Sequence, residues 1–69
     1  MSVEKSVTLT ATGTSIEAAV EECLDRAELT LDAVTSFEVG RIRGTREETG
    51  LLYRVEVTVW FTLLERLHG

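Results

Sequence analysis

A chain of 69 residues allows one small domain, expected to span residues 1–69, and a domain of this size buries little apolar surface by itself. One cysteine excludes intrachain disulfides and a cysteine-based zinc site. Oligomerisation is therefore the remaining way to stabilise so small a domain. The net charge of −5 argues against nucleic acid as a partner, because phosphate binding needs a basic field.

The sequence contains no signal for insertion into or transfer across a membrane. No apolar run approaches the length that a membrane span needs, and the first residues contain no hydrophobic signal region. A single unpaired thiol is typical of a reducing compartment. We therefore expect a cytoplasmic protein without a membrane partner.

The first two predicted elements are a strand and a helix. Residues 3–11 alternate apolar and polar side chains until Gly13 breaks the pattern, which predicts a strand with one apolar face. Either Thr14 or Ser15 is expected to cap the helix that follows. The apolar residues of this helix recur with a 3.6-residue period as far as Leu31, so one side of it should face the core.

Two further strands are predicted after the helix. Residues 34–43 alternate weakly, and Gly40 is expected to mark a bulge. Residues 44–50 are polar and predict a turn, whereas residues 51–63 alternate with strict regularity. Because this last strand is longer than one short helix can cover, part of it should meet another subunit.

The order of elements predicts an α+β fold, in which a β-α-β-β chain forms a three-stranded antiparallel sheet wrapped on one helix. Such a sheet leaves its second face without a helix. By parity, Trp60, Leu52 and Ile42 fall on that second face. An indole on the outer face of a small sheet indicates a partner there.

Five short segments follow one another in an order and spacing that match a known family. They are Gly13-Thr14-Ser15, Arg26-Ala27, Phe37-Glu38-Val39, Arg43-Gly44 and the alternating run from Tyr53 to Leu63. Together they resemble the dodecin family, whose members are small β-α-β-β proteins that assemble as hollow dodecamers and typically bind flavins. The resemblance covers essentially the whole chain and implies a homododecamer that stores FMN or riboflavin.

The same resemblance implies four candidate ligand-binding residues. In flavin-binding members a tryptophan that stacks on the flavin occupies the position of Ser36, and a glutamine that hydrogen-bonds the flavin edge occupies the position of Arg54, which only donates. Arg43 matches a position that can reach the ribityl or phosphate groups. Trp60 stands where the family usually has Gly or Ala, so its indole either fills the vacated space or packs at a subunit contact.

Two interpretations of this surface stay open. In the first, the chain stores flavin or a related aromatic anion, with Arg43 and Arg54 attracting the negative charge. In the second, the chain is a structural shell that has lost flavin binding, and Arg54 pairs with Glu38 or Glu56. That shell could bind a different anion or a metal cation, although no calcium-loop spacing is present. The acidic candidates for a cation are Glu21, Glu22, Asp25, Glu47 and Glu48.

No catalytic constellation is present in the sequence. There is no nucleophile with a base, no P-loop and no glycine-rich dinucleotide motif, so no enzyme activity is expected. Cys23 lies on the apolar stripe of the helix and is expected to be a buried small hydrophobe. His68 is expected to be a tail residue.

The charge of the chain has a consequence for assembly. Twelve copies at −5 each would carry a formal charge of about −60, so assembly should depend on salt and pH. The candidates for compensating ion pairs between subunits are Arg41, Arg43, Arg46, Glu47 and Glu48.

Overall fold

A computed structural model describes residues 2–30 and 33–64 of the chain. Their elements are β1 (Ser2–Gly13), α1 (Ile16–Thr30), β2 (Ala33–Glu47) and β3 (Gly50–Leu64). The predicted β-α-β-β order and the α+β fold class are confirmed. The predictions for Leu31 and His68 lie outside the described residues.

The hairpin between β2 and β3 is longer than the sequence predicted. The predicted turn over residues 44–50 is wrong, because β2 continues to Glu47 and pairs there with Gly50. Glu48 and Thr49 alone form the turn. Gly50 has a φ of 140°, a conformation that side chains disfavour and that a tight hairpin often needs.

The sheet is antiparallel with the strand order β1-β3-β2, so β3 lies in the centre and pairs with both neighbours along its length. Its odd-numbered side chains Val55, Val57 and Val59 are fully buried against the helix. The helix presents Ala19, Cys23 and Ala27 to them, all of which are buried. These small side chains let the helix backbone approach the sheet closely.

Ser15 caps the helix, which decides between the two predicted candidates. Its side-chain oxygen accepts a hydrogen bond from the backbone N–H of Ala18 at 3.0 Å, the arrangement of an N-cap. One turn further on, Arg26 and Glu22 form an i,i+4 ion pair at 3.1 Å. Both side chains are largely exposed, so the pair contributes no more than a few tenths of a kcal/mol.

Two bulges interrupt the pairing of β2 with β3. They lie between Val34 and Ser36 and between Val39 and Ile42, and the second confirms the bulge predicted at Gly40. Beyond an extra residue in a strand, its odd-numbered and even-numbered side chains exchange faces of the sheet. Ile42 therefore pairs with Val55 and lies on the helix side, so its predicted place on the second face is wrong.

The distal part of the hairpin extends beyond the helix. The helix begins beside Gly13, whose partner on β3 is Tyr53, and its 15 residues make about 22 Å of helix. The protomer is 55 Å long, so the helix covers less than half of that length. On the helix side, Leu51 in this uncovered part remains 52% exposed, and Ile42, one row before it, remains 45% exposed.

The contact between Gly13 and the helix generates a prediction about stability. A Cβ at Gly13 would lie 2.8 Å from the Ala19 backbone nitrogen and 3.2 Å from the Ala18 carbonyl carbon, and helix backbone cannot move aside. Gly13→Ala is expected to reduce the free energy of unfolding by about 1–3 kcal/mol. Denaturant unfolding at a fixed protomer concentration measures this loss.

Gly44→Ala is the matched control, because a Cβ there would lie 3.6 Å from the Tyr53 ring, an ordinary van der Waals contact. This control is expected to change stability by less than about 0.5 kcal/mol. Equal losses in the two variants would contradict the close-approach argument.

Candidate functional site

The sheet face that points away from the helix carries the predicted ligand residues, and we call it the open face. Antiparallel partners project to the same side of a sheet, so its members follow from the pairing with the even-numbered residues of β3. Its main members are Ser6, Thr8, Thr10 and Thr12 of β1, Ser36, Glu38 and Arg43 of β2, and Arg54, Glu56, Thr58 and Trp60 of β3.

Trp60 lies at the centre of a row that crosses all three strands. Its partners are Ser6 on β1 and Ser36 on β2, so a half-buried indole has a small hydroxyl side chain on each side. Ser36 and Trp60, two of the candidate ligand residues, are therefore direct cross-strand partners.

Hydroxyl groups hold the backbone around Trp60. Thr35, the extra residue of the first bulge, donates from its hydroxyl to the Trp60 carbonyl oxygen at 3.2 Å, and a Glu4 carboxylate oxygen lies 3.4 Å from the same hydroxyl. In the next row, the hydroxyls of Thr8 and Thr58 are 3.1 Å apart and hydrogen-bonded. Hydrogen-bonded hydroxyl groups therefore lie next to Trp60 on the sheet.

Arg43 and Arg54 are also direct cross-strand partners. By simple parity Arg43 would face the helix, but the second bulge turns it to the open face. With Arg41, Thr10 and Glu56 they line a cleft of about 210 Å³. We call this the arginine cleft.

The arginine cleft has an unbalanced positive charge within the protomer. In residues 2–30 and 33–64, no ion pair joins Arg54 to Glu38 or Glu56, the pairing that the second interpretation expected. Like charges placed directly opposite each other on a sheet are destabilising. The three guanidinium groups therefore favour a negative partner from outside the protomer.

The four predicted site residues thus fall into two separate pairs. Trp60 and Arg54 are six residues apart on β3, which corresponds to roughly 20 Å along the strand. The sequence named Ser36, Arg43, Arg54 and Trp60 as candidates but did not predict this grouping. It named Arg41 only as a candidate for ion pairs between subunits, although the predicted bulge at Gly40 lies directly beside it.

A second groove lies between the helix and β2. Its lining includes Glu21, Asp25 and Glu28 of the helix together with Ser36 and Phe37 of β2, and Phe37 is 48% exposed. Within the described part of the chain, no group of three or more His, Cys, Asp or Glu side chains is placed to hold a metal ion. The acidic residues of this groove and of the hairpin thus form no metal centre there.

Cys23 is fully buried in the core, which confirms the prediction for this residue. Burial raises the pKa of its thiol, with the Glu22 carboxylate raising it further and the Arg26 guanidinium opposing the shift. A thiol that stays protonated is a poor nucleophile, so the role of Cys23 is to pack in the core.

These observations define a class of protein, namely a small α+β domain with one helix on a three-stranded sheet and a polar, ligand-sized open face. The dodecin family model matches residues 3–64, and the chain belongs to the dodecin family. Dodecins are small binding proteins that form oligomers. No curated protein sequence matches the chain significantly.

Solved structures show the same fold. The tt0972 protein from Thermus thermophilus is 41% identical, with a TM-score of 0.84 over 96% of this chain and 100% of that chain. The dodecin from Streptomyces coelicolor is 25% identical, with a TM-score of 0.82 over 94% and 96%. The calcium dodecin from Mycobacterium tuberculosis, described as calcium chelating, is 23% identical, with a TM-score of 0.73 over 97% and 96%.

In the described residues, no helix has both the length and the hydropathy that crossing a bilayer requires.

The raised pKa of Cys23 predicts how stability varies with pH. The folded protein keeps the proton on this thiol to a higher pH than the unfolded chain does. The resulting contribution to stability is therefore fully present below the unfolded-state pKa of about 8.5, and it is lost as pH rises through the folded-state pKa. The free energy of unfolding of the wild type should therefore fall more steeply above about pH 8.5 than that of Cys23→Ala. Parallel pH profiles for the two proteins would contradict the burial argument.

Proposed function

We propose that this dodecin is a homo-oligomeric binding protein that sequesters FMN, riboflavin or a related small aromatic ligand inside a hollow shell. The observation that carries the proposal is the row Ser6–Trp60–Ser36, in which one indole stands between two small hydroxyl side chains on the open face. A cytoplasmic location, as the sequence predicted, is part of this proposal.

The cross-strand position of Trp60 supports retained ring binding although Ser36 replaces the family tryptophan. Paired residues on adjacent strands have Cβ atoms about 4.5–5.5 Å apart. An indole at residue 60 is therefore displaced by one strand from an indole at residue 36. Stacking on an aromatic side chain contributes about 1–3 kcal/mol per ring, so Trp60 can supply much of the affinity that Ser36 lacks.

The polar groups around the indole support a ligand with a hydrogen-bonding edge. Thr58, Glu38 and Ser36 lie on the same face near the indole, and together they offer hydroxyl groups and a carboxylate. A flavin ring carries both donors and acceptors at its edge, which such side chains can match. A purely apolar ring would leave these groups without partners and would bind less well.

The uncovered apolar side chains support assembly with other copies of the chain. Phe37, Ile42 and Leu51 are each about half exposed, and the distal hairpin has no helix over it. A sheet of this length cannot bury its apolar residues within one protomer. We propose a homododecamer, the assembly that the family resemblance implies.

A shell that no longer binds flavin is the second candidate function. It is favoured by two substitutions relative to the family pattern, Ser36 for the stacking tryptophan and Arg54 for the glutamine. In that case Trp60 packs at a contact between subunits. The calcium dodecin from Mycobacterium tuberculosis shares the fold at 23% identity, which by itself does not extend its calcium chelation to this chain.

The stacking role of Trp60 is tested by measuring how much flavin co-migrates with the protein. Wild-type protein should elute with riboflavin or FMN, as detected by visible flavin absorbance. Trp60→Ala should weaken binding by about tenfold or more, because it removes one stacked ring. Trp60→Phe should restore part of the affinity.

Ser36→Ala is the control for this experiment, because it removes a neighbouring hydroxyl and leaves the indole in place. An assembled wild type without flavin would contradict storage and support the shell. If Trp60→Ala lowered the assembly mass but left flavin per protomer unchanged, Trp60 would be a subunit contact instead.

Assembly is tested by size-exclusion chromatography with light scattering. A dodecamer should have a mass of about 92 kDa, twelve times the 7.7 kDa chain. Phe37→Asp should lower this mass because it places a charge on a half-exposed apolar position, whereas Phe37→Leu should preserve it. A monomer mass for the wild type would refute the assembly proposal. An unchanged mass from low to high salt and at mildly acid pH would refute its electrostatic part.

A further inference from the structure

We propose that the surface around Trp60 on the open face, which we call the ring site, selects aromatic ligands that carry a positive charge on the ring. Glu4 and Glu38 are the residues that determine this selectivity. The inference rests on the proposed function, because it concerns the ring that Trp60 binds. It narrows small aromatic ligands in general to one chemical class, the planar aromatic cations.

Two carboxylates stand in the rows on either side of Trp60. Glu4 of β1 pairs with Thr62, one row beyond Trp60, and Glu38 of β2 pairs with Thr58, one row before it. Diagonal neighbours on adjacent strands are about 7–8 Å apart, a distance that long side chains can span. The indole therefore has a negative group near it from each edge strand.

A hydrogen bond places the Glu4 carboxylate beside the indole. One of its oxygens lies 3.4 Å from the Thr35 hydroxyl, and the same hydroxyl donates to the Trp60 carbonyl oxygen at 3.2 Å. Glu4 belongs to β1 and Thr35 to β2, so the Glu4 side chain crosses the central strand next to Trp60. A carboxylate has about four acceptor positions, so most of them stay available to a ligand.

Among the described residues, no basic side chain offsets these two charges near Trp60. Lys5 pairs with Phe61 and therefore faces the helix side. The arginines of the open face begin at the second bulge, two rows away from Trp60. Glu4 and Glu38 form no ion pair within the described part of the chain. The ring site is therefore negative, in contrast to the arginine cleft.

An indole between two carboxylates favours a cation for two reasons. The face of an indole is electron-rich and attracts a positive charge above it more strongly than other aromatic side chains do. The same charge is attracted by both carboxylates, which would repel an anionic ring. A neutral ring gains only the stacking contribution. A planar aromatic cation is thus the ligand on which all three groups act together.

Three probes with one ring skeleton and different charges test the selectivity. They are N-methylacridinium, which is a cation, acridine, which is neutral at slightly alkaline pH, and acridine-9-carboxylate, which is an anion. Because Trp60 is the only tryptophan of the chain, its fluorescence reports occupancy of the ring site. At constant ionic strength, the wild type should bind the cation at least about tenfold more tightly than acridine, and the anion least tightly.

Three glutamine variants show which carboxylates cause the preference. Glu4→Gln and Glu38→Gln keep the side-chain shape and remove the charge. Each should lower the ratio of cation to acridine affinity by about threefold and leave the acridine affinity unchanged. Glu48→Gln is the matched control, because it removes the same charge in the hairpin turn, far from Trp60, and should keep the wild-type ratio.

Three outcomes would overturn the proposal. The first is that the wild type binds the cation no more tightly than acridine. The second is an equal fall of the ratio in all three variants, which would show that only the net charge matters. The third is unchanged N-methylacridinium binding by Trp60→Ala in equilibrium dialysis, which would place the cation elsewhere on the protein.

The riboflavin co-elution experiment separates this proposal from flavin storage. If riboflavin elutes with the protein while the cation binds no better than acridine, storage stands and charge selection is refuted. If the cation binds with the expected preference and riboflavin does not co-elute, flavin storage is refuted and charge selection stands. The two proposals can therefore fail independently.

Discussion

The pairing of β3 with a neighbour on each side, along most of its length, is the constraint on which the rest of the structure depends. Because alternate residues of a strand point to opposite faces, this one strand supplies both the valines of the core and the side chains of the open face. A shift of one residue in its register would exchange the two sets. The core and the candidate sites are therefore determined by the same backbone hydrogen bonds.

The helix limits how much of that sheet one protomer can bury. Its contact surface consists of small residues, Ala19, Cys23 and Ala27, which permit a close approach but contribute little apolar area. The hairpin beyond Tyr53 has no helix over it, and Leu51 there is half exposed, as is Ile42 one row before it. A domain with so small a core gains most from burying this surface against further copies of itself.

The open face has two chemically different regions, about 20 Å apart along β3. The indole of Trp60 lies between two serines, whereas the arginine cleft concentrates positive charge. The chain as a whole has a net charge of −5, so the positive charge of the cleft differs in sign from that of the whole chain.

The sequence alone determined the order of elements, the bulge at Gly40, the burial of Cys23 and the core face of β3, because strict alternation and helical periodicity depend on local side-chain direction. It left Thr14 and Ser15 as equal candidates for the helix cap, and the hydrogen bond to Ala18 decided between them. Only the tertiary structure decided which way Ile42 and Arg43 point. A bulge is a mismatch between two strands, so its effect on facing depends on where the partner strand places its own residues.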